Sequence, residues 1–569
     1  MEARNHFTHL ALAGGLAAAL ALGGMPLVGP AAYAADDSTS STSSSATAGS
    51  STGSVTILKN ANNNSDATTT LGYQIFKADV VDNGTSKTAS NIAWASTEVG
   101  NVVVAQIKAL DSSYAGTTAQ DAADYLSTHL PAEGSSGTST IIESGKLYSN
   151  IANALRSDAD VSSTTLTMGV AQNLSAGYWL FLTDSTSTDN GTNQVGSAPI
   201  YAVVGGSPLT ISPKTTLPTV TKQVKNDATG ADWSNVADSQ IGQSLQYRLI
   251  GSVADAIPSY DTYYYKFTDT LSAGLTADNA TVAVTVETNG TGYPVPATAT
   301  TTDATYTNYT TTLATNTDGT STLGVEFTDL KSLKDSSGTA IPVNSTTKVY
   351  VTYSAVLNSS AVVATGYNDN SVKLTYSNNP GTDSKGDSTP SSVRDYTFKL
   401  NLVKVDSSQQ STKLSGAKFT IQATNPDEGA GTQYVQADGT LGATAYEFTT
   451  GDDGSISVSG LDVGKYTVVE TQAPSGYNTV ANFDFEIRAT YDTTGALTKV
   501  EASSSNSNAA DASTDSTGLV TVTVKDKAGM SLPLTGQSGV TLLWVAGGAM
   551  VAAGAMHLVR SHKKDKAQQ

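Results

Sequence analysis

Short apolar strips, many alternating with Ser, Thr, Lys or Asn and separated by Gly, Asn, Asp and Pro, recur from Val55 to Val524. Period-two alternation puts one set of side chains on one face of a strand, so a long series of such strips folds into antiparallel sandwiches, each burying one face of every strand. The chain has 569 residues, more than one core organises, and roughly three or four domains are expected. It has no cysteine, so neither disulfides nor thiolate metal sites brace these layers. A net charge of -19 repels nucleic acid and anionic lipid.

Three such stretches follow one another. The first, residues 54–212, opens with Val55-Thr56-Ile57-Leu58 and Tyr73-Gln74-Ile75-Phe76, and closes with strips at 178–182 and 200–204. Between them, residues 102–126 favour helix, and Leu147, Ile151 and Leu155 recur at the spacing of one helix face. This stretch is expected to be a β-sandwich with helical insertions. The second, 213–392, is almost wholly β, with strips at 247–250, 263–267, 282–286, 349–353 and 372–376. Its polar, breaker-rich run from Asn379 to Pro390 is predicted to be a linker. The third, 393–530, has strips at 398–405, 418–421, 466–469, 483–487 and 520–524. The fold class expected is mainly β, with tandem Ig-like sandwiches.

The two ends read differently. Arg4 precedes an apolar run from Leu10 to Val28, and Ala32-Tyr33-Ala34 follows before Ala35. A basic start, an apolar middle and a small-x-small end predict a secretory signal peptide over 1–34, cut between Ala34 and Ala35. Residues 35–53, rich in Ser and Thr, are expected to be a flexible leader. At the other end, Leu532-Pro533-Leu534-Thr535-Gly536 precedes an apolar run from Val540 to Val559 and then Arg560, His562, Lys563, Lys564 and Lys566. A run of that length crosses a hydrocarbon layer of about 30 Å as a helix, and the basic tail holds its end in the cytoplasm. In this order, residues 531–569 resemble the cell-wall sorting signal read by sortase transpeptidases. That resemblance implies cleavage between Thr535 and Gly536, with the Thr535 carbonyl kept as a thioester on the sortase.

Within the third stretch, Tyr466-Thr467-Val468-Val469-Glu470-Thr471-Gln472-Ala473-Pro474-Ser475-Gly476-Tyr477 resembles the E-box of Gram-positive pilins. Residues 398–406 and 414–419 are similar to the first strands of their collagen-adhesin B-type Ig-like domains. The resemblance implies an isopeptide bond from a first-strand lysine to a last-strand Asn or Asp, promoted by the E-box glutamate. Burial disfavours charge on both groups, so the lysine becomes a nucleophilic amine and the glutamate a proton-donating acid. Alternation puts Lys404 on one strand face with Phe398, Leu400 and Leu402, which favours it over Lys399. The acceptor expected is Asp526, with Glu470 as catalyst. The competing reading is an ordinary ion pair around Lys404.

The second stretch resembles the same family in Thr219 to Val224, in Phe267 to Thr276 and in Leu374 to Pro380. The roles implied are Lys222 as nucleophile, Asp269 as catalyst and Asn378 as acceptor, with Asn370 or Asn379 as alternative acceptors. At the junction of the first two stretches, Ile211-Ser212-Pro213-Lys214 is similar to a pilin motif, with Ser212 where a tyrosine is usual. By resemblance, the Lys214 amine attacks the sortase-held Thr535 of another copy.

Together these features describe a structural shaft subunit of a major pilus, joined between Lys214 and Thr535 of adjacent copies and held on peptidoglycan at the cell surface. Pilus-specific and housekeeping sortases, other copies of the chain, tip or base pilins and host receptors are the partners in view. A monomeric wall-anchored adhesin for a host glycan or matrix protein is the alternative, and it gives Lys214 no role. No nucleophile-base pair, paired-carboxylate motif, phosphate loop or metal-ligand spacing stands out, so no enzyme activity beyond self-linkage, no metal and no cofactor are expected. The loose run Asp184-Ser185-Thr186-Ser187-Thr188 reads as a solvated strand end.

Overall fold

The computed structural model describes residues 21–22 and 51–529, except 61–62, 64–65, 83–86, 130–140, 227–231, 301–303, 365 and 425–431. The cleavage site at Ala34 and Ala35, the leader up to residue 50, and the segment holding Leu532, Pro533, Leu534, Thr535 and Gly536 therefore lie outside the described residues. Among the described residues no helix is long and apolar enough to cross a membrane.

Packing divides the chain into two compact units. One spans 1–237, 244–361 and 368–395; the other spans 238–243, 362–367 and 396–569. The first unit holds two sandwiches. In the leading one, a central sheet orders Lys87–Trp94, Thr69–Asp82, Gly177–Thr183 and Ile200–Val204. Thr164–Thr167 is added to Thr69–Asp82, and Ala21–Leu22 pairs in parallel at the edge. Gly177–Thr183 is buried at every position because both of its faces are covered. Tyr178, Leu180 and Leu182 pack with the helices, while Trp179 and Phe181 pack with Val55, Ile57 and Ile211 of a small second sheet.

The helical insertions are Thr97–Leu110, Ala119–Thr128 and Leu147–Ser157. Leu147, Ile151 and Leu155 are all buried, as their spacing predicts. The helix-favouring run 102–126 is not continuous. Asp111 ends one helix, and Thr118 starts the next with a capping box to Asp121, since short polar side chains satisfy the open N–H groups of a new first turn.

In the second sandwich one sheet orders Val220–Lys225, Ser244–Ser252, Lys348–Leu357 and Leu275–Thr288. The facing sheet orders Ser391–Tyr396, Asn368–Ser377, Tyr265–Leu271 and Ser321–Phe327. Each central strand alternates buried with half-buried or exposed positions. The predicted linker 379–390 is instead part of this sandwich. Lys385–Asp387 pairs with the end of Asn368–Ser377, and Ser391–Tyr396 pairs with its beginning, so the sheet carries past residue 392. Breaker residues mark turns here, not a domain boundary.

The second unit is built on a third sandwich. Its four-stranded sheet orders Ser455–Leu461, Phe398–Asp406, Leu519–Asp526 and Ala510–Thr514, and the facing sheet includes Lys418–Ala423, Gly464–Gln472, Phe483–Tyr491 and Leu497–Ser504. The first and last strands, Phe398–Asp406 and Leu519–Asp526, are neighbours and run parallel.

Candidate functional site: two buried lysine clusters

Lys404 points into the third sandwich from its first strand, and its side chain is fully buried. Gly454 helps to hold that strand. Its carbonyl accepts from Lys404 N at 2.8 Å, in a turn with φ of 70° where an added Cβ would lie 2.8 Å from Leu414 N. Two carboxylates meet the amine. Glu470 Oε1, from the facing sheet, is 2.9 Å from Lys404 Nζ, and Asp526 Oδ1, at the end of the last strand, accepts a hydrogen bond from it. The parallel register sets Lys404 beside Val524 and Asp406 beside Asp526, so the acceptor sits two residues along, on the same face as the lysine.

All three side chains are fully buried, and Asp526 Oδ2 has no hydrogen-bond partner. One cation between two carboxylates leaves an excess negative charge that the apolar surroundings disfavour. Burial raises the Asp526 pKa above its ordinary value; Lys404 opposes the shift and Glu470 adds to it. Glu470 Oε2 is fixed by Val480 N at 2.8 Å. Such a cluster holds an amine against a carboxyl that favours its neutral, electrophilic form.

The second sandwich has a cluster of the same kind between its sheets. Lys222 Nζ donates to both oxygens of Asp269, each at 2.5 Å, and is 3.1 Å from Tyr353 Oη. Lys222, Asp269, Tyr353 and Asn370 are all buried. The amine lies 5.3 Å from the Tyr353 ring centre and 5.4 Å from that of Tyr247. Burial lowers the Lys222 pKa to about 8, against the opposing pull of Asp269. Asn370 Nδ2 donates to Tyr353 Oη at 2.7 Å, and Asn370 Oδ1 has no hydrogen-bond partner. Register explains why Asn370 is here. Leu271 pairs with Asn370 and Asp269 with Val372, so Asp269 and Asn370 are diagonal neighbours on the inward face.

Asn378, the acceptor expected from the sequence, is not in this cluster. It lies eight residues beyond Asn370, roughly 26 Å along an extended strand. Its Nδ2 donates to Thr188 O at 2.6 Å and Gln194 O at 3.2 Å in the leading sandwich, and its Oδ1 accepts from Ser384 Oγ at 2.7 Å. Asn379 Nδ2 likewise donates to Thr183 O at 3.0 Å, and Arg156 Nη1 to Pro380 O at 2.6 Å. Asn378 and Asn379 therefore tie the two sandwiches of the first unit together. An Asn378→Ala chain is expected to lose about 1–3 kcal/mol, read in urea denaturation, because it leaves buried carbonyls without donors.

Lys214 follows the strand Leu209–Ile211 in an irregular connection and is half-buried; Asn60 Nδ2 donates to the neighbouring Thr215 O at 2.5 Å. Asp184 caps a short 3-10 turn, its carboxylate accepting from Thr186 N at 3.0 Å. Among the described residues no group of three or more His, Cys, Asp or Glu is placed to hold a metal ion. Sequence reasoning missed Tyr353. Its signal was the run Val349-Tyr350-Val351-Thr352-Tyr353, in which alternation turns residue 353 inward.

Residues 398–505 match the family described as SpaA: Prealbumin-like fold domain. A fimbrial subunit type 1 of Actinomyces viscosus is 32% identical over 208 residues, covering 32% of this chain and 35% of that protein, so the match spans about a third of the relative's length. Among solved structures, the T6 backbone pilin of serotype M6 Streptococcus pyogenes is 16% identical, with a TM-score of 0.48 over 84% of this chain and 98% of that one. The major pilin SpaA of Corynebacterium diphtheriae is 14% identical, with a TM-score of 0.41 over 84% and 100%.

Proposed function

We propose, starting from the SpaA prealbumin-like domain at residues 398–505, that the chain is a shaft subunit of a covalently polymerised, cell-wall-anchored pilus, stiffened by isopeptide bonds inside its sandwiches. The observation that carries this reading is the burial of Lys404 between Glu470 and Asp526, at the point where the first and last strands of one sandwich run side by side. An unlinked trio of this kind is costly to bury, whereas an amide is neutral.

In the third sandwich Lys404 passes a proton to Glu470, and the free amine attacks Cγ of the protonated Asp526. The departing hydroxyl takes a proton and leaves as water, and a Lys404–Asp526 amide remains. In the second sandwich Lys222 attacks Cγ of Asn370 with Asp269 as the acid, and ammonia leaves. Lys214 of one copy would then join to Thr535 of the next through a sortase, and a head-to-tail chain of this kind grows without closing.

Mass spectrometry of wall-extracted fibres tests the reading. The expected findings are a branched Thr535–Lys214 peptide, a third sandwich lighter by one water and a second lighter by one ammonia. Free polypeptides after boiling in detergent, with the mass of the processed chain and no water or ammonia lost, would sink it.

The middle cluster has a pH signature. An Asn370→Ala chain keeps Lys222 and Asp269 as an unlinked pair. Its Lys222 pKa is about 8 in the folded state against the ordinary 10.5, so between those values the unfolded chain binds the extra proton. Relative to wild type, the stability of this variant is expected to rise as pH increases from about 8 toward 10.5, read as its denaturation midpoint. Wild type has that nitrogen in an amide and lacks the term.

A further inference from the structure

We propose that Tyr353 is a further catalytic residue of bond formation in the second sandwich, relaying the proton released at Lys222 from Asp269 to the departing nitrogen of Asn370. The inference rests on the proposed Lys222–Asn370 linkage. An amide nitrogen does not leave as an anion, so a proton must reach Asn370 Nδ2 before the C–N bond breaks. That nitrogen has its partner in Tyr353 Oη, at 2.7 Å. The same hydroxyl donates to Asp269 Oδ2 at 2.7 Å and accepts from Lys222 Nζ at 3.1 Å. One oxygen thus touches the nucleophile, the acid and the leaving group.

Packing fixes the hydroxyl there. The Tyr353 ring stacks on Tyr247 with centres 5.4 Å apart and planes 15° apart, and the whole side chain is buried. Burial raises its pKa well above the usual phenol value, so the hydroxyl keeps a proton to pass on and does not rest as phenolate. In the third sandwich the acceptor is a carboxyl, and its nearby Tyr477 hydroxyl donates instead to Asp406 at 2.9 Å.

The protons balance as follows. Lys222 first gives one proton to Asp269 and becomes a neutral amine. Its attack on Cγ of Asn370 makes a tetrahedral centre in which Nδ2, no longer conjugated, is basic. The hydrogen-bond chain then reverses: protonated Asp269 donates to Tyr353 Oη, and Tyr353 donates its own proton to Nδ2. As the C–N bond breaks and ammonia leaves, the former lysine nitrogen gives a second proton to Asp269. In sum one N–C bond forms and one breaks, and of the two protons the lysine nitrogen gives up, one leaves on ammonia and the other ends on Asp269.

The test follows full-length chain made in a cell-free translation pulse, sampled over time and digested, with the Lys222–Asn370 and Lys404–Asp526 peptides quantified together. Tyr353→Phe keeps the ring and is expected to slow the first linkage about a hundredfold, the scale of a positioned proton donor, while the second forms at the wild-type pace. A wild-type chain with no Lys222–Asn370 peptide would remove the linkage itself, and the relay with it. A linked wild type and a Tyr353→Phe chain that links within twofold of its rate would overturn the relay alone. If Tyr353→Phe loses its near-ultraviolet circular dichroism, a difluorotyrosine at position 353 decides. Its more acidic hydroxyl is expected to change the rate at least threefold, and an unchanged rate would overturn the relay.

Discussion

A Lys404→Ala chain is expected to keep the full translated mass in its third sandwich, where the proposed linkage would make wild type lighter by one water, and to melt on the order of 15 °C lower. The mass follows from losing the only nitrogen placed against Asp526 Oδ1 in this cluster. Two terms contribute to the melting shift. A cross-link between residues 122 apart restricts the unfolded chain, which for loops of that length corresponds to roughly 4–5 kcal/mol. The variant also leaves Glu470 and Asp526 buried without their cation. For a domain of this size a few degrees accompany each kcal/mol. Intact mass of the digested module and calorimetry check both parts. A Lys404→Ala chain with wild-type mass loss would place the bond elsewhere.

The second large effect concerns assembly. Lys214→Ala is expected to collapse the ladder of high-mass, detergent-resistant species on the cell wall into a single wall-linked band. Lys348→Ala, at an exposed strand position of the second sandwich, should leave the ladder intact. Immunoblots of wall extracts after boiling in detergent show either pattern. A ladder that survives Lys214→Ala would move the attacking amine to another lysine, and a single band in wild type would favour the adhesin reading.

The contrast between the two clusters shows what a linear chain makes legible. Lys404 was readable because Phe398, Leu400 and Leu402 define an inward face by alternation, and Glu470 and Asp526 lie at recognisable places in their strands. Asn370 was harder, because Asn368, Asn370, Asn378 and Asn379 share one stretch and any of them ends or enters a strand. Only the pairing of Leu271 with Asn370 brings that amide beside Asp269 on the inward face, and cross-strand register is not written in local sequence. The same stretch misled the linker prediction. Asn379 donates to Thr183 O of another sandwich, and Pro380 O accepts from Arg156, a use of polar groups that composition alone does not separate from solvated loop. Tyr353 was passed over as one more apolar strand residue; its hydroxyl matters only because three groups from two sheets converge on it.

The parallel arrangement of Phe398–Asp406 and Leu519–Asp526 has a mechanical consequence. With the proposed linkage in place, tension entering at Phe398 would run a few residues to Lys404, cross to Asp526 and leave toward the C-terminus. The polypeptide between the two residues would then be spectator length. Released, it would add roughly 400 Å of slack per copy; tied off, it adds almost none. If the proposed linkages form, a fibre of such units would behave as an inextensible tether, passing each tug to its anchor undamped.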